Sequence, residues 1–218
     1  MQKQKSIYLL SPTPKKDTIA LPMITFSITA KSIDFTNCDT LIFTSKQAVV
    51  AVDKIDVSWK KYPCIAIGGA TKKKIEDLGG KVIYHPRSFY GEQLNKDIVS
   101  FFRDKKLLYL RPKEVSFDSK AFLEKESIHL QEQIIYETSC VYYTSKEKPG
   151  TGSIIIFTSP STIHCFLKNF KWDESYIAIV IGNATKVHLP THAKYVVADE
   201  PLISSCILKA KEIANSSF

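Results

Sequence analysis

Leu41-Ile42-Phe43-Thr44-Ser45 returns later in the chain as Ile155-Ile156-Phe157-Thr158-Ser159. Ile65-Ala66-Ile67-Gly68-Gly69-Ala70-Thr71-Lys72 returns as Ile179-Val180-Ile181-Gly182-Asn183-Ala184-Thr185-Lys186. Both matches fall at one offset, 114 residues (158 − 44 and 182 − 68). Two matches at one spacing predict a chain made of two copies of one unit. The unit reads as strand, turn, helix, repeated. Residues 40–44 form a short β-branched run, and 46–53 follow as a helical stretch with Ser45 placed to cap it. A second buried-type strand over 65–67 runs into Gly68-Gly69, and the helix over 70–78 is closed by Gly79-Gly80. A strand over 82–84 comes next. The helix over 91–102 then puts Leu94, Ile98, Phe101 and Phe102 on one face. Strands over 107–110 and 131–136 flank a helix over 119–125. Strands alternating with helices predict the α/β class, a parallel sheet with helices on both faces.

The second copy has strands over 154–158, 177–181 and 195–197, and its last helix, 202–214, reaches the end of the chain. Nothing follows to match the first copy's last two strands. The N-terminal segment offers two unassigned strands, 7–10 and 23–27, and Ser6-Ile7-Tyr8-Leu9 resembles Leu107-Leu108-Tyr109-Leu110. The economical arrangement has this segment complete the second sheet. One domain is then continuous, 29–140, and the other discontinuous, 1–28 plus 141–218. Two linkers, near 27–32 and 136–143, restrict the pair to hinge motion about a shared cleft.

The 218 residues are 44% hydrophobic and 24% charged, with 8 Gly and 10 Pro, values that exclude disordered, collagenous and low-complexity chains. No apolar run approaches the length of a membrane span, and the basic start lacks the apolar stretch of a secretory signal. Five cysteines, an odd count without any CxxC, predict neither a disulfide framework nor a zinc site, and point to a reducing cytoplasm. A net charge of +8 favours an anionic partner without choosing among nucleic acid, lipid and a carboxylate- or phosphate-bearing small molecule.

Ligands of open parallel sheets bind beyond the carboxyl ends of the strands. Those ends are Thr44-Ser45, Gly68-Gly69-Ala70-Thr71, Thr158-Ser159 and Gly182-Asn183-Ala184-Thr185, and each opens a helix. Helix N-termini present unpaired amides and a positive dipole end to carboxylate or phosphate. Ser45, Thr71, Ser159 and Thr185 are read as caps that also face the ligand. Lys46 and Arg111 are candidate cationic contacts. Tyr136, at the predicted end of a strand entering a linker, is placed to donate a proton or hydrogen bond to a leaving group. The sequence lacks GxGxxG, GxxxxGK[ST] and GxSxG, and Pro190 breaks the helix that would pair His188 with His192. No metal and no cofactor are expected. Aromatic residues follow core periodicity, which weighs against nucleic acid.

The pieces Leu21–Phe26, Phe43–Val49, Ala66–Thr71, Tyr90–Leu94, Ile135–Thr138, Phe157–Ser161 and Ile181–Thr185, in this order and spacing, resemble the uroporphyrinogen-III synthase family. The resemblance implies two flavodoxin-like α/β domains joined by a two-strand connection, with the active site between them. It implies a lyase of tetrapyrrole and heme biosynthesis that closes hydroxymethylbilane, an octacarboxylate, with inversion of ring D through a spiro intermediate. By the same resemblance Tyr136 is the acid assisting hydroxyl loss, and Thr44, Ser45, Thr71, Thr158, Ser159 and Thr185 line the cleft. The expected partner is this small acid alone, with no nucleic acid, no membrane and no second copy of the chain. The sequence departs from the family pattern at Ser11-Pro12, where relatives often carry Arg-Pro, and at Pro190, which shortens the helix after Thr185. Two other readings stay open: a two-lobed module that binds an anionic small molecule without chemistry, and a nucleic-acid binder suggested by the charge.

Overall fold

A computed structural model describes residues 5–86 and 91–215. In chain order the elements are β1 (Ile7–Leu9), β2 (Ile19–Ala20), β3 (Ile24–Ile28), β4 (Thr40–Phe43), α1 (Lys46–Ile55), β5 (Pro63–Ala66) and α2 (Gly69–Asp77). Then come β6 (Lys81–Tyr84), α3 (Gly91–Phe101), β7 (Leu107–Pro112), α4 (Ser119–Lys125) and β8 (Leu130–Cys140). The last are β9 (Ile154–Phe157), α5 (Pro160–Asn169), β10 (Ile177–Val180), α6 (Asn183–Lys186), β11 (Lys194–Val197) and α7 (Ile203–Asn215). The chain divides into one unit of residues 1–25 and 139–218 and another of residues 26–138.

The central unit, 26–138, holds the sheet β3-β8-β7-β4-β5-β6. From β4 to β8 all neighbours are parallel, and counted from β4 the order is 3-2-1-4-5, that of a doubly wound sheet. Its central strands β4, β5 and β7 are buried on both faces because helices cover both. Period-2 alternation separates the two cores. Leu41, Phe43, Leu108, Leu110 and Tyr136 pack with Val49, Val52 and Trp59 on one face. Ile42, Ile65, Leu107 and Tyr109 pack with Leu94, Ile98 and Leu123 on the other. The predicted Gly79-Gly80 stop is present: Gly79 has φ +87°, and the Gly80 amide returns to Ile75 O. A Cβ on Gly80 would collide with the Trp59 ring, so this position also admits only glycine.

The other unit holds the parallel sheet β11-β10-β9-β1-β2. Counted from β9, with β1 and β2 following β11, its order is again 3-2-1-4-5. The N-terminal segment therefore completes this sheet, through the expected run 7–10, which forms β1, but not through the run 23–27. The run 23–27 falls in β3, which neighbours β8 in the six-stranded sheet. Thr29 N–H donates to Ile135 O and Val141 N–H donates to Met23 O, so the two runs pair in opposite directions. The fifth strand is β2, two exposed residues too short to show alternation. Nor is the likeness of Tyr8 to Tyr109 kept in register. Tyr109 lies beside Ile42, whereas Leu9 lies beside Ile156, the residue 114 positions after Ile42 (156 − 42). No described helix is long and apolar enough to cross a membrane.

Candidate active site

A doubly wound sheet opens a crevice where the connections change direction, between its first and fourth strands. In the central unit that is the carboxyl end of β4 beside β7. Thr44 and Ser45 leave β4 here, and both hydroxyls are held by phenols. Thr44 Oγ1 lies 2.6 Å from Tyr109 Oη, and Ser45 Oγ lies 2.8 Å from Tyr136 Oη. Ser45 is also the N-cap of α1 and accepts from the Ala48 amide at 3.0 Å. Strand alternation explains the arrangement. Thr44 continues the face of Ile42 and meets Tyr109 from that core; Ser45 continues the face of Phe43 and meets Tyr136 from the other.

Tyr136 is 4% exposed, with its ring edge-on to Phe26 at 5.9 Å. It lies inside β8, which runs on to Cys140, and does not end the strand as expected. Burial raises its pKa, opposed by the Ser45 hydrogen bond, so the phenol is protonated at neutral pH. A hydroxyl has one proton and two acceptor sites. Since Ser45 Oγ already accepts from Ala48, two arrangements of the pair remain. Tyr136 can give its proton to Ser45, or Ser45 can give its own to Tyr136 and free the phenolic proton. Only the second lets Tyr136 act as an acid.

Lys46 is exposed on the first turn of α1. Gly68 is the extended N-cap of α2, without a side-chain cap bond, and Gly69 and Ala70 are exposed behind it. Thr71 is not a cap: it is the third helical residue, 4% exposed, and its amide bonds to Gly68 O. Arg111 is committed internally. Its Nε lies 3.2 Å from Glu132 Oε2, an ion pair without hydrogen-bond alignment, and Nη1 donates to the carbonyls of Pro112 and Lys113. It borders a shallow hollow of about 500 Å³ that also carries Asp118, Glu124 and Glu132, carboxylates that disfavour an anionic ligand. Tyr90, in one of the segments singled out, lies outside the described residues.

In the other unit the crevice position is the end of β9 beside β1. Ser159 caps α5 through a capping box with Thr162, and Pro160 occupies the first turn. Thr158 is half-buried and, among the described residues, makes no side-chain hydrogen bond; Leu9 stands where Tyr109 would have to be. Gly182 is the extended N-cap of α6, Asn183 and Ala184 are exposed, and Thr185 is 3% exposed at the third position, again not a cap. The helix is a single turn, ending before Pro190. Ser11, where a cation is expected from relatives, is 6% exposed and accepts from the Thr13 amide.

Tyr109 escaped the sequence reading. Its signal was a lone hydroxyl in the aliphatic run Leu107–Leu110, on the same face as Ile42 and Thr44. The cysteines require a correction: Cys140 and Cys165 are joined as a disulfide, which brings the end of β8 against α5. Their 25-residue separation follows no motif, so only packing reveals the pair. Cys38, Cys64 and Cys206 are free. Among the described residues no group of three or more His, Cys, Asp or Glu side chains could hold a metal ion.

The sequence pattern of the family described as uroporphyrinogen-III synthase HemD matches residues 17–207. The crystal structure of uroporphyrinogen-III synthetase from Helicobacter pylori 26695 superposes with a TM-score of 0.80 at 27% identity, covering 96% of this chain and 99% of that one. A mutant uroporphyrinogen III synthase from the extremely thermophilic bacterium Thermus thermophilus shares the fold at 8% identity and a TM-score of 0.59, covering 96% and 98%. Comparison with curated protein sequences gives no match.

Proposed function

The chain belongs to the uroporphyrinogen-III synthase family, and on that premise we propose how its own residues share the work. The activity is that of a lyase of tetrapyrrole biosynthesis: hydroxymethylbilane closes to uroporphyrinogen III and releases water. The observation that carries it is the family match over residues 17–207, joined by the Helicobacter pylori superposition over nearly both whole chains.

The first step breaks the bond between the terminal methylene and its hydroxyl, leaving an azafulvenium cation. The departing oxygen needs a proton. Tyr136 supplies it, kept protonated by burial, while Ser45 donates a hydrogen bond to the phenol oxygen and steadies the phenolate that forms. Ring D then attacks through its substituted carbon to give the spiro intermediate, which fragments and recloses at the other carbon. Loss of the ring-carbon proton restores aromaticity and returns the proton that hydroxyl departure consumed.

The remaining task is to fold a flexible acid into a reactive shape. The first amides of a helix have no intrahelical acceptor and carry the positive dipole end. Those behind Ser45, Gly68, Ser159 and Gly182 are offered to substrate carboxylates, with the Lys46 ammonium beside the first. Exposed Gly69, Ala70, Asn183 and Ala184 leave room for close approach, and Thr44 and Thr158 add hydroxyls. Thr71 and Thr185, being buried, shape the turns and do not contact substrate. Arg111 serves the fold through Glu132. The proposal extends to one polypeptide acting in the cytoplasm on a small acid.

The test supplies hydroxymethylbilane and resolves the product isomers. Uncatalysed closure yields type I. An excess of type III is expected, and its absence would overturn the reading.

A further inference from the structure

We propose that Tyr109 is a positioning residue of this enzyme, acting through Thr44 as the counterpart, on the opposite sheet face, of the Tyr136–Ser45 pair. The inference rests on the reading of the β4 end as the substrate site. Three observations carry it.

Consecutive residues at the end of a strand point to opposite faces, so Thr44 and Ser45 cannot be held by one partner. Each has its own: Tyr109 Oη at 2.6 Å from one core and Tyr136 Oη at 2.8 Å from the other. Second, Tyr109 is 3% exposed, and Thr44 is the only hydrogen-bond partner of its hydroxyl among the described residues. The long side chain spans the distance from its register partner Ile42 to the strand end two residues on, and delivers its one polar atom there. A leucine would fill the same core without that oxygen. Third, the other sheet has the leucine: Leu9 takes the register position of Tyr109, and Thr158 keeps an unheld hydroxyl. The phenol is therefore not a requirement of this strand arrangement.

The consequence is directional. Thr44 rotates about one bond when free. With Tyr109 donating to it, its oxygen stays on one bearing and keeps its own proton for a carboxylate of the ligand. Burial raises the Tyr109 pKa to about 12, so the pairing persists across the working pH range.

The experiment is a double-variant cycle on type III formation, using Tyr109→Phe, Thr44→Val and the two combined in the full chain, with thermal midpoints to confirm folding. Tyr109→Phe is expected to lower kcat/KM at least threefold, on the order of one neutral hydrogen bond, and to weaken uroporphyrin III binding by a similar factor. The combined variant should be no slower than Thr44→Val alone. Thr44→Ser, which keeps the oxygen, should respond to Tyr109→Phe as the wild type does. A loss under twofold, or losses that multiply in the combined variant, overturns the proposal. The same cycle is read in parallel on the dissociation constant of uroporphyrin III, a stable octacarboxylate probe. A wild type that makes no excess of type III refutes the functional reading, and the uroporphyrin III cycle then decides Tyr109 on its own. A wild type that neither makes type III nor binds this probe overturns both.

Discussion

Tyr136→Phe removes one oxygen and nothing else. The ring keeps its edge-on contact with Phe26 and its place in the core, so no cavity opens. What disappears is the hydrogen bond to Ser45 at 2.8 Å. Ser45 is half-buried and keeps its capping bond to Ala48, so water can take the vacated site. The stability cost is then about 1 kcal/mol, the net worth of one neutral hydrogen bond. For a unit of this size that lowers the melting temperature by roughly 4–8 °C. Turnover is affected on another scale. A positioned general acid contributes about 10²–10⁴-fold. The expected loss is about a hundredfold, the lower end, because helix amides continue to orient the substrate. The assay follows initial rates of type III formation, with the isomers separated chromatographically after oxidation to porphyrins, beside a melting curve of the same preparation. A rate within twofold of wild type, together with the small shift in melting, would refute the acid role and leave Tyr136 a packing residue. The pH profile is a second check. Since burial raises the phenol's pKa above its ordinary value of 10.0, no loss of activity below pH 10 should depend on Tyr136.

Breaking the Cys140–Cys165 bond, by a reductant or by Cys165→Ser, should lower stability by about 3 kcal/mol for a loop closed over 25 residues; denaturation curves that coincide with and without reductant would show that the bond does not contribute. Lys46→Gln should raise KM roughly threefold, an effect that fades with added salt, whereas Arg111→Gln should leave KM unchanged and lower stability by about 2 kcal/mol by stranding Glu132; steady-state kinetics and urea titrations separate the two. Alkaline stability follows from burial, which raises Cys64 and Tyr109 to about 12 and Cys206 to about 11. The unfolded chain releases these protons first, so stability is full below pH 9, the ordinary thiol value, and declines as pH rises toward 12; urea midpoints that hold constant from pH 8 to 11 would contradict this.

The strand ends were legible because each announces itself chemically. A β-branched or aliphatic run stops at Ser or Gly, and a helix with its own apolar face begins. The parallel sheets followed from that alternation. The path of the N-terminal segment was less legible. Ile19–Ala20 is too short to carry a pattern, while Met23–Ser27 carries a good one and yet belongs to a different sheet, because pairing is settled by the partner strand. The continuation of β8 through Glu137-Thr138-Ser139 was hidden by polarity that reads as a linker. Thr71 and Thr185 look like caps by composition, but the glycines three residues earlier already hold the N-cap position. Arg111 looked free because Glu132 reaches it only across neighbouring strands.

The position of β1 between β9 and β2 has a consequence for synthesis. Ile7 pairs with Ile154, which the ribosome adds 147 residues later (154 − 7). At about 5–20 residues per second, β1 waits on the order of ten seconds or more for that neighbour. The strands β4 to β8, by contrast, follow one another without interruption and have all their partners soon after they emerge. β1 thus leaves the exit tunnel long before it can be seated, with its hydrophobic residues unprotected in the interval, and it is there that a holding chaperone would find its opening.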